Sequence, residues 1–432
     1  MEAKFFFYKA GQGSFYGGRI WHHENDRMYT VVYDCGTSPF IAGNSQSLNN
    51  EIDAFKFSSR NYPHSNDIDL LFISHLDYDH VSGLKRLLTE FNVKNIVLPY
   101  IEKQHRQFFL VSFSDNDNPD NNLSVEDYSA FIESPNTFIQ DNSKETKMYF
   151  IYSKDKSVIE YLNYDNDNQI EDIYPRGTIN TETEELANQP NVSVYNNNLQ
   201  FFIQRKWEFT THVKSVSEIA INNLHNCLKK KLKKKASDNL TLNDLKTFVT
   251  ENRKEAHKCY TTCIGEINSH GLVLLHGPIR FQHLCGRIYS DCELHHFYDD
   301  CYHRHFHDGY HFRNNNPIML GTLLLGDTSI KPANNPIDFP QAFKDKLINV
   351  HVVQVPHHGS SKNWDFTEFK NLKIGDSINR WSNTVVTDCN FGYGNKYGHP
   401  SHEVLNDLRS TIFLNTQFSR LNIKYDIIHW EP

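Results

Sequence analysis

Apolar and polar positions fall into blocks along this chain. Lys4–Tyr8 and Met28–Asp34 are short apolar runs with strand character, the second ending in the turn Asp34-Cys35-Gly36. Ile68–Ser74 is a longer apolar run that stops abruptly at His75. Such a run bounded by polar residues predicts a buried strand of a layered α/β fold. Val81, Leu84, Leu87, Leu88 and Phe91 then recur with helical spacing, and Val93–Leu98 predicts another strand. Strand signals return at Gly271–Leu275, Leu323–Leu325, Val350–Val355 and Thr384–Thr387. Pro400–Ser410 predicts a helix, and Asn422–Trp430 a closing strand.

The middle of the chain interrupts this pattern. Ser114–Asn122 and Asn163–Gln169 are rich in Asn and Asp and cannot form a core. Val213–Lys235 reads as a helix ending in the lysine run Lys229–Lys235, and Leu240–Lys258 as a second helix with Thr241 and Asp244 in capping positions. A solvated helix end is the plain reading of the run. Contact of Lys229, Lys230, Lys231, Lys233, Lys234 and Lys235 with a phosphate backbone is the sharper one. The chain thus divides into a core of residues 1–101, 261–276 and 318–432, a polar then helical insertion at 102–260, and a second insertion at 277–317.

Composition narrows the class. Aromatics at 13% argue for real cores. The balance of 44 basic against 52 acidic residues, a net charge of −8, argues against a globally basic nucleic-acid binder. No apolar run is long enough for a membrane helix, and the first residues lack the pattern of a signal peptide. Eight cysteines spread thinly over 432 residues point to a reduced, cytoplasmic protein.

The strongest chemical feature is Ser74-His75-Leu76-Asp77-Tyr78-Asp79-His80, directly after the predicted buried strand. A loop leaving a strand can turn His75 and Asp77 toward one ion, while Asp79 and His80, at a helix start, face a second. Carboxylates and imidazoles at this density resist burial unless a cation compensates them. An exposed polar turn is the alternative, but an apolar strand runs straight into the cluster.

These residues resemble the metallo-β-lactamase family. HxDxDH is similar to that family's HxHxDH signature, with Asp77 in place of the second histidine. Gly11-Gln12-Gly13, Val31–Gly36 with its D-x-G end, Asn268-Ser269 before GLVLL, Leu323–Asp327, Val355–Ser360 and Tyr397–Pro400 resemble its further motifs in the same order. The Asp-for-His form, with HHGS and GHP, resembles the branch containing the hydrolase domain of the DNA-uptake protein ComEC and similar phosphodiesterases. The resemblance covers roughly half the chain and implies an α/β four-layer αββα sandwich carrying two large insertions.

It also implies roles. His75 and Asp77 would hold one metal, Asp79 and His80 a second, and Asp327 would bridge. One of His357 and His358 would ligate and the other contact substrate phosphate. Asp79 could also orient the attacking water, and His399 would be a further ligand or a proton donor to the leaving group. A mid-chain histidine ligand of many relatives has no clear equivalent, since His270 and His276 read as structural. Two divalent ions can address both the attacking and the leaving oxygen of a phosphodiester. A carboxylate in place of an imidazole widens tolerance from Zn²⁺ toward Mn²⁺.

Nine histidines lie in His270–His311, with Cys285, Cys292 and Cys301 among them. Their spacing fits no standard zinc pattern, so this segment reads as a lid over the main site rather than a structural metal site. Cys259 and Cys263 read as core cysteines. Three functions compete. The first is a two-metal nuclease on single-stranded DNA or RNA. The second is a phosphodiesterase for a small nucleotide or a phosphocholine-like ester. The third is a metal-bound module acting within a multi-protein complex, such as a bacterial defence system, with its insertions as docking surfaces.

Overall fold

A computed structural model describes residues 1–38, 44–58, 66–112, 123–153, 172–181, 186, 189–214, 218–235, 244, 247–248, 251–263, 271–279, 281–292, 310–314, 321–332, 336–375, 386–392, 394–408, 412–417 and 419–430. In chain order its strands begin with β1 (Glu2–Phe7), β2 (Phe15–His22), β3 (Arg27–Cys35), β4 (Asp67–Ile68), β5 (Leu70–Phe72), β6 (Asn92–Val93) and β7 (Asn95–Pro99). The middle of the chain supplies β8 (Lys147–Tyr152), β9 (Ile173–Arg176), β10 (Val192–Asn196), β11 (Gln200–Ile203) and β12 (Trp207–Val213). The rest are β13 (Leu272–Pro278), β14 (Phe281–Cys292), β15 (Tyr310–Asn314), β16 (Gly321–Leu324), β17 (Val350–Gln354), β18 (Val386–Asn390), β19 (Ile412–Asn415) and β20 (Ser419–Trp430). The helices are α1 (Asn44–Phe57), α2 (Tyr78–Val81), α3 (Leu84–Glu90), α4 (Lys103–Arg106), α5 (Val125–Glu133), α6 (Pro135–Asn142), α7 (Glu218–Lys231), α8 (Arg253–Cys263), α9 (Gln341–Leu347), α10 (Phe366–Asn371) and α11 (His402–Asp407).

Two large sheets face each other between helical layers, the four-layer αββα sandwich expected from the sequence. The first runs β10-β8-β7-β5-β3-β2-β1-β20-β14-β15, the second β19-β18-β17-β16-β13-β12-β11-β9. Between them lies an aromatic core in which Phe72 of the first sheet packs on Phe201 and Phe209 of the second. The outer face of the first sheet is covered by the apolar sides of α1, α3, α5 and α6 and by Leu224, Leu228, Ala256 and Cys259 of α7 and α8. That of the second sheet is covered by α9 and α11, with Trp364 at its centre. Burial of these apolar surfaces is the main stabilising term.

Several expectations shift. The apolar run at 68–74 divides into β4 and β5, and the helix expected over 81–91 starts afresh at Leu84 after α2. Val213 ends strand β12 rather than starting a helix. Residues set apart as the 102–260 insertion supply β8 and β10 to the first sheet and β9, β11 and β12 to the second. Of 277–317, β14 and β15 extend the first sheet beyond β20. His270, His295, His296, His303, His305, His307 and Cys301 lie outside the described residues, as do Thr241 and the polar runs at 114–122 and 163–169. Cys227 and Cys259, expected to be reduced, form a disulfide, because α7 and α8 pair side by side with these Cα atoms 5.9 Å apart. This bond withdraws the cysteine argument for a reducing compartment. No helix among the described residues is long and apolar enough to cross a membrane.

β12 hid from the sequence because it buries a charge. Glu208 is 7% exposed and accepts from Lys346 of α9, from Thr210, and from Gln200 at 2.7 Å. Burial acts to raise its pKa, but Lys346 and these hydrogen bonds outweigh burial and hold it below the usual value. A carboxyl depressed by folding contributes stability above its unfolded pKa and loses it as pH falls through the folded value. Lys346→Met is therefore expected to cost about 3 kcal/mol at neutral pH, with a smaller deficit in acid, where Glu208 takes up a proton. Urea denaturation at both pH values checks this, and equal deficits would refute it.

Candidate metal centre

The site forms where the carboxyl ends of β5, β16, β17 and β18 meet, as is usual in sheets with parallel strands. β5 delivers Ser74, whose carbonyl accepts from Leu272 N at 2.6 Å and so joins the two sheets at this end. The loop 75–77 then enters α2. Gly36 makes the loop's seating possible: a Cβ there would lie 2.5 Å from the backbone carbonyl carbons of Asp79 and His80. Those atoms cannot yield without displacing α2. Gly36→Ala should cost about 1–3 kcal/mol of stability and lower metal stoichiometry. A variant that denatures and loads metal like the parent would show that the close approach is unimportant.

Three groups of side chains converge: His75, His80 and Asp327; Asp79, His80 and His358; and His75, Asp77 and Asp79. Within each group one donor atom per residue lies within 4.8 Å of the others. Asp327, just past β16, divides its carboxylate between two sides. Oδ1 lies 3.2 Å from His80 Nε2 and 3.8 Å from His358 Nε2, while Oδ2 lies 3.6 Å from His75 Nε2 and 3.7 Å from His357 Nε2. Asp79 Oδ2 lies 3.3 Å from His358 Nε2, and Asp77 Oδ2 3.9 Å from His75 Nε2.

The imidazoles are oriented from behind. His358 Nδ1 donates to the Asn390 carbonyl at 2.9 Å. His80 Nδ1 lies 2.8 Å from Asp34 Oδ2, and His75 Nδ1 2.8 Å from Ser74 Oγ, which itself donates to Asp34 Oδ2 at 2.7 Å. With each Nδ1 as donor, each Nε2 keeps its lone pair for the centre, the arrangement metal-bound histidines show. The Nε2 atoms of His75, His80 and His358 are buried and make no hydrogen bond. Three such nitrogens converging with carboxylates suit a divalent cation.

The clustered carboxylates favour positive charge here, so a cation would bind in competition with protons on two of these imidazoles. Burial opposes charge on His80, yet Asp327 and Asp34 outweigh it and raise its pKa well above the usual imidazole value. For His358 burial is likewise outweighed, by Asp327 and Asp79. Burial and then His80 push His75 down to about 3. Burial would raise Asp327, but His357, His80, His358 and His75 hold it well below the carboxylate range.

The HHGS turn is strained to serve this geometry. His357 (φ 46°) and His358 (φ 53°) both occupy the left-handed region, uncommon for side-chain-bearing residues. The turn is pinned by His357 N donating to the Gly326 carbonyl at 3.0 Å. It turns His358 inward, 5% exposed, beside Asp79 and His80, while the His357 side chain stays 20% exposed at the mouth. Of the pair, His358 is the one that joins a group of potential metal donors, with Asp79 and His80. His399 lies beyond His357, ring centroids 5.6 Å apart, and burial, then His358 and His357, lower its pKa to about 4. His276 is buried among Phe5, Tyr16, Trp207 and Phe209 between the sheets, away from the cluster. Lys229–Lys235, at the end of α7, is not among the converging groups; Lys231 and Lys234 pair with Glu255 and Asp244. Asp34 and Ser74 orient the cluster, and the sequence assigned them no role; the D-x-G strand end was the available signal.

Residues 24–140, which contain Asp34 and the whole His75–His80 loop, match the metallo-β-lactamase superfamily, whose members are mostly metal-dependent hydrolases. No curated protein matches the chain. Among solved structures, it is similar to the metallo-β-lactamase fold protein YhfI from Bacillus subtilis. Identity is 12%, with 46% of this chain and 58% of that chain covered and a TM-score of 0.17. The likeness spans less than two thirds of that protein.

Proposed function

We propose that this protein is a two-metal hydrolase of phosphodiester bonds in single-stranded nucleic acid. The observation that carries the reading is the divided Asp327 carboxylate, whose Oδ1 faces His80 and His358 and whose Oδ2 faces His75 and His357. Two cations held there would supply Lewis acidity to both the attacking and the leaving oxygen of a diester. Asp77 would complete the His75 side. Asp79 reaches both cluster and mouth, its side chain 24% exposed, and so can orient a water and take its proton at Oδ2. His357 offers its ring to a phosphate oxygen, and His399, beyond it and uncharged at neutral pH, would offer its neutral N–H as a hydrogen-bond donor to the leaving oxygen. The HxDxDH, HHGS and GHP motifs, similar to those of ComEC-type phosphodiesterases, support a diester over other substrates of such hydrolases.

Metal analysis with a panel of single-stranded DNA, RNA, cyclic dinucleotides and bis-p-nitrophenyl phosphate tests this. Chelator-sensitive cleavage of the activated diester and of single strands is expected. Cleavage of thioesters or lactams without any diester would overturn it.

Nucleic acid rather than a small ester is favoured by α7 and α8. Tyr260 of α8 has its phenol pKa raised by burial and then by Asp77, and α7, bonded to α8 through Cys227–Cys259, ends in the cationic run Lys229–Lys235, which could follow a phosphate backbone. Replacing Lys229, Lys230, Lys233 and Lys235 by Gln should weaken single-strand binding and flatten its salt dependence by about 0.7 per lost contact. An unchanged salt slope would return the run to a solvated helix end and leave a small diester as substrate.

A further inference from the structure

The rim of the centre carries an aromatic ring that the hydrolytic machinery does not use. Tyr397 is 53% exposed, against 0–8% for the buried tyrosines of the sheets and their helical cover. It lies near-parallel to His399, centroids 6.0 Å apart and planes inclined by 14°. His399 in turn neighbours His357, whose Nε2 is 3.7 Å from Asp327. A continuous row of rings therefore leads from the metal cluster to an exposed phenol. The large, well-exposed apolar side chains among the described residues are Phe57, Ile179, Ile219, Ile348 and Tyr397, and of these Tyr397 alone has a ring contact with His399.

The loop that presents it is held rather than loose. Asn395 Nδ2 donates to the carbonyls of Gly392 at 2.9 Å and His399 at 2.7 Å. Its Oδ1 accepts from Tyr397 N at 3.0 Å and His399 N at 3.2 Å. One side chain thus braces the backbone at Tyr397 and His399, the residues that carry the two rings. The exposed Lys362 follows the HHGS turn, its backbone N–H donating to Ser360 Oγ at 3.3 Å, so a cation sits on the segment that carries His357. An exposed aromatic face on a braced loop, one ring away from the imidazoles of the mouth and with a cation on the segment of His357, matches the chemistry of a nucleotide: a flat base beside an anionic phosphate.

We infer that Tyr397 is a specificity-determining residue, the stacking face for the base next to the hydrolysed phosphodiester. The inference rests on the phosphodiesterase reading and deepens it by naming the neighbouring base as the group recognised.

The test uses the metal-loaded protein, a thymidine dinucleotide, and the same diester made abasic on its 5′ or 3′ side. The parent should prefer the intact dinucleotide over one abasic form by about tenfold in kcat/KM, through KM. Tyr397→Ala should bring that ratio close to one, and Tyr397→Phe, which keeps the ring, should retain it. In parallel, binding of a dinucleotide carrying 2-aminopurine should quench its fluorescence by stacking, with the quench lost in Tyr397→Ala. Cleavage with the same base preference in the parent and Tyr397→Ala would overturn the role of Tyr397 and leave the phosphodiesterase standing. If the parent cleaved neither dinucleotide, the phosphodiesterase reading would fall. The quench would then decide Tyr397 separately: lost in the alanine variant it supports a base-stacking face, unchanged or absent in the parent it removes one.

Discussion

Asp327→Ala is expected to lower metal content at both sides of the centre and to reduce hydrolysis on the order of 10³-fold or more. Its two oxygens face different imidazole sets, Oδ1 toward His80 and His358 and Oδ2 toward His75 and His357. Removing it therefore takes a donor from each side and leaves four imidazoles around an uncompensated space. Charge stabilisation by bound metal is worth several kcal/mol of barrier, and each 1.36 kcal/mol is a factor of ten in rate. The fold should persist, because the core between the sheets is aromatic and aliphatic and does not depend on the cluster. Metal stoichiometry by elemental analysis, turnover of an activated diester, and far-ultraviolet circular dichroism together check the prediction. Full metal content and full turnover in a folded variant would dismiss the bridging role.

The candidate cluster is more legible in the sequence than the sheets are, and the reason is physical. The cluster residues are adjacent in sequence, or sit at strand ends marked by Gly-Asp and His-His-Gly, so a local pattern suffices to find them. The sheets depend on distant pairing. β2 escaped notice because Gly17 and Gly18 break its apolar run; at Gly18 a Cβ would come within 2.3 Å of the Lys4 carbonyl in β1. β8 and β10 pair in parallel across a long intervening segment, and β12 places Glu208 and His212 at buried positions. Their polar letters read as surface until their partners are seen. Which of His357 and His358 turns inward to the cluster was likewise not local, since it follows from the left-handed turn and the Asn390 carbonyl. The disulfide between Cys227 and Cys259 required knowing that α7 lies against α8.

Asp34 shows the same limit at the centre itself, and its replacement should be nearly as damaging as that of a ligand. It stands forty positions before Ser74 and touches no candidate metal position, yet its carboxylate sets the proton arrangement of two imidazoles. Oδ1 accepts from Ser74 N at 2.6 Å, and Oδ2 accepts from Ser74 Oγ at 2.7 Å and faces His80 Nδ1 at 2.8 Å. Because the carboxylate only accepts, His80 must donate from Nδ1, and Ser74 must spend its proton on Asp34 and so accept from His75 Nδ1. Both histidines then keep Nε2 as a lone pair. Asp34→Asn preserves size and leaves Oδ1 for Ser74 N, but puts an N–H donor opposite His80 Nδ1 and Ser74 Oγ. His80 would then protonate Nε2, turning a donor hydrogen instead of a lone pair toward Asp327 and the centre. Loss of such an outer carboxylate typically costs about 10–100-fold in metal affinity, and disturbance of both imidazoles places the expectation at the upper end. Competition with a chromogenic chelator gives the affinity, and ¹⁵N chemical shifts of the imidazoles give the tautomers. Parental affinity with His80 still protonated at Nδ1 would show that the backbone, not Asp34, fixes the ring.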